Sequence, residues 1–135
     1  MRVVFDTNIF VSALVVPGSR AGEAILRVVE GQDHLIISKA IIHELLTTLS
    51  GKFSRDREEL AHVAVFLTDI GDLVYPKRKV NILKDEPDNR ILECALAGHA
   101  DVIVTGDRAI LALGQYKGIN ILTLKEYLVI KGYPT

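Results

Sequence analysis

The segment from Asp85 to Asp107, DEPDNRILECALAGHADVIVTGD, sets a helix and a strand in succession with carboxylates at both extremities. Pro87 stands among Asp85, Glu86, Asp88 and Asn89. Proline suits the first turn of a helix, because its missing N–H would have no partner there. Ile91, Leu92, Ala95 and Leu96 then recur at helical spacing, Gly98 offers a stop, and Val102, Ile103 and Val104 form a β-branched run that ends in Thr105-Gly106-Asp107. The spacing predicts a helix, a buried strand and an acidic turn. A helix start and a strand end of this kind can meet on one rim of a parallel sheet, where open α/β folds hold their sites.

The flanking sequence follows the same alternation. Val3, Val4 and Phe5 form an apolar run that stops at Asp6, the pattern of a central strand buried on both faces, so Asp6 closes a strand at its carboxyl end. Thr7 and Asn8 follow, then a short helical turn over Ile9–Leu14 and a loop at Pro17-Gly18-Ser19. Ala21, Ala24, Ile25, Val28 and Val29 mark a helix closed by Gly31, and Leu35–Ile37 a second strand. Ser38 is placed to cap a helix whose stripe is Ile41, Ile42, Leu45, Leu46 and Leu49, with Gly51 at its end. At about 100° per residue, Glu44 lies on the polar flank of that stripe, close enough to the packed side to point along the sheet rim. Leu60, Val63, Ala64 and Leu67 give another helix, Leu73–Tyr75 a short edge strand, and Lys77-Arg78-Lys79 an exposed basic run. Ala109–Leu113 reads as a helical turn and Ile119–Leu122 as the last strand. Thr123 to Glu126 has capping-box spacing before a final helix that ends near Gly132. With no repeat and no linker, the alternation predicts one domain over residues 1–135: a three-layer α/β/α fold with a central, mostly parallel sheet and right-handed crossovers.

Composition narrows the function. With 49% hydrophobic residues among 135, there is ample material for a core. A formal net charge of −1 excludes the global basic field of a constitutive nucleic-acid binder, so any polyanion must be gripped locally. The single cysteine, Cys94, excludes an internal disulfide framework and a cysteine-based zinc cluster, and is expected to pack as a small apolar residue in a reducing compartment. The chain turns polar at Asp6 before a signal-peptide core can form, and no later apolar run approaches spanning length, so the expected location is the cytoplasm, away from membranes. His34, His43, His62 and His99 show no metal-ligand spacing. His43-Glu44 opens a zinc-protease motif, but Thr47 stands where its second histidine is required. There is no phosphate-binding P-loop, dinucleotide fingerprint or nucleophile elbow.

Four acids then stand out by position: Asp6, Glu44, Asp88 and Asp107. Packed together they would repel and raise one another's pKa, so a cluster of them normally implies a cation that holds them ionised. Oxygen-only ligands favour Mg²⁺ or Mn²⁺ over zinc, and such an ion can polarise a phosphoryl oxygen and lower the pKa of a bound water. Hydrolysis of a phosphodiester is the natural chemistry. The plainer alternative makes Asp85 and Asp88 helix caps and Glu44 a solvated flank residue. Asp6 and Asp107 are least explained that way, because an acid closing a buried parallel strand is oddly placed unless the rim uses it. Arg20, Lys39, Arg90 and Arg108 are candidates to meet a phosphate backbone, with plain solvated charge as the alternative.

Together, VVFDTNIFVSAL, SKAIIHELLTTL, DEPDNRILECALAGHADVIVTGD and INILTLKEYL resemble the PIN domain over nearly the whole chain. More closely, the chain is similar to the bacterial and archaeal PIN proteins that are toxin components of toxin–antitoxin pairs. The resemblance implies a Mg²⁺- or Mn²⁺-dependent ribonuclease that cuts single-stranded RNA, a cognate antitoxin as partner, and the homodimers formed by many relatives. By the same resemblance Asp6, Glu44, Asp88 and Asp107 match the family's acidic quartet, and Asn8, Thr105 and Asn89 its supporting polar positions. Asp6, Asp88 and Asp107 would hold the metal while Glu44 orients or deprotonates the attacking water. In many members a further acid follows the last aspartate by two residues, and Ala109 stands there. That leaves the number of metals open, with Asp85 either an outer-shell ligand in compensation or a cap. Two rival classes remain: a degenerate PIN domain that docks RNA or protein, and a haloacid dehalogenase-type phosphatase, which needs a second aspartate where this chain has Asn8.

Overall fold

The computed structural model describes residues 1–130. Its elements are β1 (Arg2–Phe5), α1 (Thr7–Val15), α2 (Arg20–Val29), β2 (His34–Ser38), α3 (Lys39–Lys52), α4 (Arg57–Ile70), β3 (Gly71–Val74), α5 (Glu86–Ala97), β4 (Val102–Val104), α6 (Arg108–Leu111), β5 (Gln115–Tyr116), β6 (Ile119–Leu122) and α7 (Leu124–Val129). The end expected near Gly132 lies outside the described residues. No single described helix is long and apolar enough to cross a membrane.

The six strands form one sheet in the order β3-β2-β1-β4-β6-β5, with helices packed against it. Every pairing is parallel except the last, where Gln115 and Tyr116 turn back against Asn120 and Ile119. That antiparallel hairpin was not anticipated from the sequence. Two residues are too few for an alternation to register, and its tight turn rests on Lys117 and Gly118, both at positive φ. The third strand lies at the opposite edge, as expected, but begins two residues early, at Gly71.

Val3, Val4 and Phe5 are completely buried although successive strand residues point to opposite faces, so both faces of β1 are covered. Beneath the end of β1, the Phe5 ring meets Phe10 and Tyr127 edge to face at centroid distances of 5.8 and 5.7 Å. The strand that delivers Asp6 is thereby braced from α1 and α7. Caps set the helix starts: Ser38 accepts from the Ile41 N–H at 3.3 Å, Asp56 from Glu59 at 2.9 Å, and Thr123 and Glu126 form the predicted capping box.

Gly98, expected as a stop, does end α5, but its φ of −93° asks for no glycine. The left-handed residue is His99 instead. Gly98 is required by proximity: a Cβ there would overlap the Ile36 Cγ2 methyl, with Ile36 Cβ and Cγ1 only 3.2 Å away. Ile36 is buried and β-branched, so it has little freedom to yield. Gly98→Ala is expected to destabilise the protein by about 1–3 kcal/mol through overpacking. A lowered denaturation midpoint at unchanged slope checks this.

Candidate active site

The order β2-β1-β4 places the first strand between one neighbour on each side, and the sheet's progression reverses there. Ligand crevices of open α/β sheets form at the carboxyl ends of the strands at such a switch point. Register brings Phe5 beside Val104, so Asp6 and Thr105 follow as neighbours, and the Asp6 N–H continues the ladder to the Val104 carbonyl at 3.0 Å.

Asp6 is 7% exposed and Thr105 fully buried. The Thr105 hydroxyl donates to Asp6 Oδ2 at 2.6 Å and accepts the Asp107 N–H at 3.0 Å. Asp107 caps α6, its Oδ1 accepting from Ile110 at 3.0 Å. From α3, half-buried Glu44 accepts the Thr7 hydroxyl on Oε2 at 2.9 Å. Asp88 enters from the first turn of α5, 8% exposed, and its Oδ2 has no hydrogen-bond partner among the described residues. Asp85, at the start of α5, is exposed and makes no side-chain cap bond. One oxygen from each of Asp85, Asp88 and Asp107 lies within 4.8 Å of the others.

The carboxylates perturb one another. Burial pushes the Asp88 carboxyl up to about 7, with further upward pressure from Asp107, Asp6, Asp85 and Glu44. Burial also raises Asp6, opposed by the Thr105 hydrogen bond and the Asn8 and Thr7 amides, and Asp107 raises it further. Glu44 is raised by burial, opposed by the Thr7 hydroxyl, with a smaller push from Asp6. Asp6 and Glu44 are not part of the 4.8 Å cluster of Asp85, Asp88 and Asp107, but both act on Asp88 electrostatically. An all-oxygen set with an orphaned buried acceptor fits a hard divalent cation.

The remaining sequence candidates are distributed differently. Asn8 is exposed and forms no side-chain hydrogen bond among the described residues, although its amide faces Asp6. Asn89 is fully buried and turned away from the acids; its amide accepts from the Ile82 and Leu83 N–H groups and donates to the Leu83 carbonyl, pinning the loop that leads into α5. Arg90 is not free for phosphate: it pairs with Glu93 at 2.9 Å and Glu86 at 3.3 Å, and donates to the Val80 carbonyl. Arg20, Lys39 and Arg108 are exposed. Cys94 is fully buried, and burial raises its thiol to about 12, which makes it inert. Two further groups support the site. The Thr7 hydroxyl orients Glu44. Glu93 accepts the Val80 N–H at 2.8 Å, for which a lone valine in a polar loop was the only signal.

A carboxylate pocket at the switch point of a parallel sheet flanked by helices defines a class of α/β proteins. Within it, the chain belongs to the PIN domain family, whose members are generally nucleases: the PIN domain matches residues 2–109. The uncharacterized protein MJ1680 of Methanocaldococcus jannaschii is 26% identical over 132 residues, covering 93% of this chain and 84% of the relative. Among solved structures, a chain of VapBC2 from Rickettsia felis, bound to a DNA fragment from their promoter, superposes with a TM-score of 0.65 at 16% identity, covering 91% of this chain and 98% of that one. A chain of VapBC-1 from nontypeable Haemophilus influenzae gives 0.64 at 18%, covering 93% and 99%. At these identities the two structures show the shared fold.

An acid raised on folding favours the folded state while protonated, and that benefit disappears as pH rises through the folded-state pKa. Metal-free protein should therefore lose stability between about pH 4 and pH 7 as Asp88 ionises. Asp88→Asn removes that charge. In EDTA the variant should gain on the wild type by on the order of 1–3 kcal/mol between pH 5 and pH 8, measured by denaturant titration.

Proposed function

We propose that this chain is a Mg²⁺- or Mn²⁺-dependent endoribonuclease that hydrolyses phosphodiester bonds of single-stranded RNA, acting as the toxin of a toxin–antitoxin pair. The observation that carries the proposal is a buried Asp88 oxygen left without a partner, beside carboxylate oxygens of Asp107 and Asp85 and under the electrostatic influence of Asp6 and Glu44. Asp6, Asp88 and Asp107 would hold the cation, which supplies Lewis-acid stabilisation of phosphoryl charge and acidifies a bound water. Glu44 has one oxygen fixed by Thr7, which leaves the other to orient or deprotonate the attacking water. Its upward-shifted carboxyl makes it a stronger base than a solvated glutamate. Thr105 fixes the Asp6 carboxylate and so keeps it from swinging out of the pocket.

A groove of about 510 Å³ lies away from the acids, lined by Tyr75, Lys77, Arg78, His99 and Lys117 together with the far half of α5. Tyr75 is 65% exposed, and the Lys39 ammonium lies 5.6 Å from its ring centroid. A cationic groove beside an exposed aromatic suits single-stranded nucleic acid, whose phosphates need charge and whose bases stack. It gives a nearly neutral protein the local grip that its net charge does not. The likeness to chains of VapBC2 and VapBC-1 supports an antitoxin as the partner.

Cleavage-site mapping on cellular RNA tests the activity. Wild type in Mg²⁺ should cut, whereas EDTA or Asp6→Asn should abolish cutting with the fold retained; cutting by the variant at the wild-type rate would refute the assignment. Glu44→Gln should lower the single-turnover rate by about 10²–10⁴-fold. For the groove, Lys77→Ala with Arg78→Ala should weaken RNA binding and flatten its dependence on log salt concentration by about 0.7 per contacting charge removed. Binding is measured on the Asp6→Asn background.

A further inference from the structure

Asp85 stands where a helix cap belongs, yet its carboxylate does not cap. Its backbone is fixed: the Asp85 carbonyl accepts the Asp88 N–H at 3.1 Å and the Asn89 side-chain amide at 3.5 Å. Its side chain is therefore presented from a held position, on the exposed side of Asp88 and Asp107, with all three offering oxygens within 4.8 Å of one another. Among the described residues, no lysine or arginine forms a salt bridge with any of the three.

The cluster alone would prove little, since exposed acids often gather without a ligand. A second observation points to one. Asp88 is 92% buried, and its Oδ2 has no donor in reach among the described residues. A buried acceptor left unmade costs about 1–3 kcal/mol, so an interior carboxylate oxygen without a partner marks a place for a donor or a cation. Asp107 spends Oδ1 on the Ile110 N–H and retains Oδ2. Asp6 likewise commits one oxygen, Oδ2, to Thr105.

We propose that Asp85 is a direct cation ligand, forming with Asp88 and Asp107 an all-carboxylate position on the outer lip of the rim. The proposal rests on the cation-dependent function above and assigns a residue that this function does not require. The position is open to solvent on the Asp85 side, which leaves coordination sites for water and for a phosphate oxygen.

Asparagine and serine cap helices as well as aspartate does, so Asp85→Asn and Asp85→Ser retain any capping role and remove the charge. Calorimetric Mn²⁺ titration of the full chain should show both variants binding at least tenfold more weakly, with the melting temperature in EDTA not lowered. Wild-type affinity in both variants overturns the Asp85 assignment while leaving the cation-dependent function standing. If the wild type itself takes up no Mn²⁺, both fall. Direct ligation is separated from an outer-shell role by Asp85→Cys with Cd²⁺, because a thiolate bound to that soft ion gives a new ultraviolet charge-transfer band. The buried Cys94 in the wild type is the silent control. Appearance of the band in the variant alone supports direct ligation, and its absence overturns it.

Discussion

The hydroxyl of Thr105 is the joint on which the acidic rim depends. A single buried oxygen donates to the Asp6 carboxylate and receives the Asp107 amide, joining the ends of two strands whose residues lie 99 positions apart. A carboxylate as buried as Asp6 is tolerated only when donors reach it, and this one is supplied by the strand next door. Parallel pairing of β1 with β4 is what makes the contact possible, because it brings both carboxyl ends to the same edge. The edge-to-face aromatic group around Phe5 holds β1 from below, so the rim rests on a fully buried part of the core. The site's geometry therefore follows from sheet topology more than from its loops.

The other side of the pocket is held by a different device. Between β3 and α5 the chain crosses without regular structure, and three polar anchors on the helix secure it. Asn89 takes the backbone of residues 82 and 83, Arg90 the Val80 carbonyl, and Glu93 the Val80 N–H. Arg90 and Glu93 also neutralise each other, so the loop is fastened without adding net charge near the acids. The consequence for function is that Asp85 and Asp88 emerge from a constrained backbone. A cation-binding carboxylate needs this, because every freely rotating side chain ordered on binding subtracts from affinity.

How far the sequence revealed this depends on the length of the signal. The apolar run ending in Asp6 and the helix–strand unit from Asp85 to Asp107 each carry several periodic residues and a terminal acid, and both elements form as read. Ser38 and the Thr123 capping box were legible because capping requires particular residue types at fixed offsets. The β5–β6 hairpin was not legible, since β5 is a two-residue edge strand. Gly98 was legible as a boundary, but not for its reason, because the neighbour that demands a missing Cβ comes from β2, about sixty positions earlier. Asn89 looks like a site residue by its place beside Asp88, yet successive helix residues differ by about 100°, which turns it toward the loop. A side chain's neighbour in sequence is seldom its neighbour in a pocket.

The charge distribution gives the acids their meaning. A protein of net charge −1 could have paired its rim carboxylates with its own lysines and arginines, as most buried acids are paired. Among the described residues, none of Asp6, Glu44, Asp85, Asp88 and Asp107 has a salt bridge, and Arg90, two positions beyond Asp88, is turned to Glu86 and Glu93. Several positive charges lie instead around the groove at Tyr75, Lys77, Arg78 and Lys117. Burial and mutual repulsion then act together to push the Asp88 carboxyl up to about 7 in the absence of a counter-charge. A helix N-terminus offsets only a small part of this, since its partial positive charge contributes about 0.3–1 kcal/mol. The unbalanced charge is a local instability that the fold maintains with Thr105, Thr7 and Asn89 and does not remove. A divalent cation would relieve it at one stroke, which rearranging the protein's own side chains around a buried carboxylate cluster does not do.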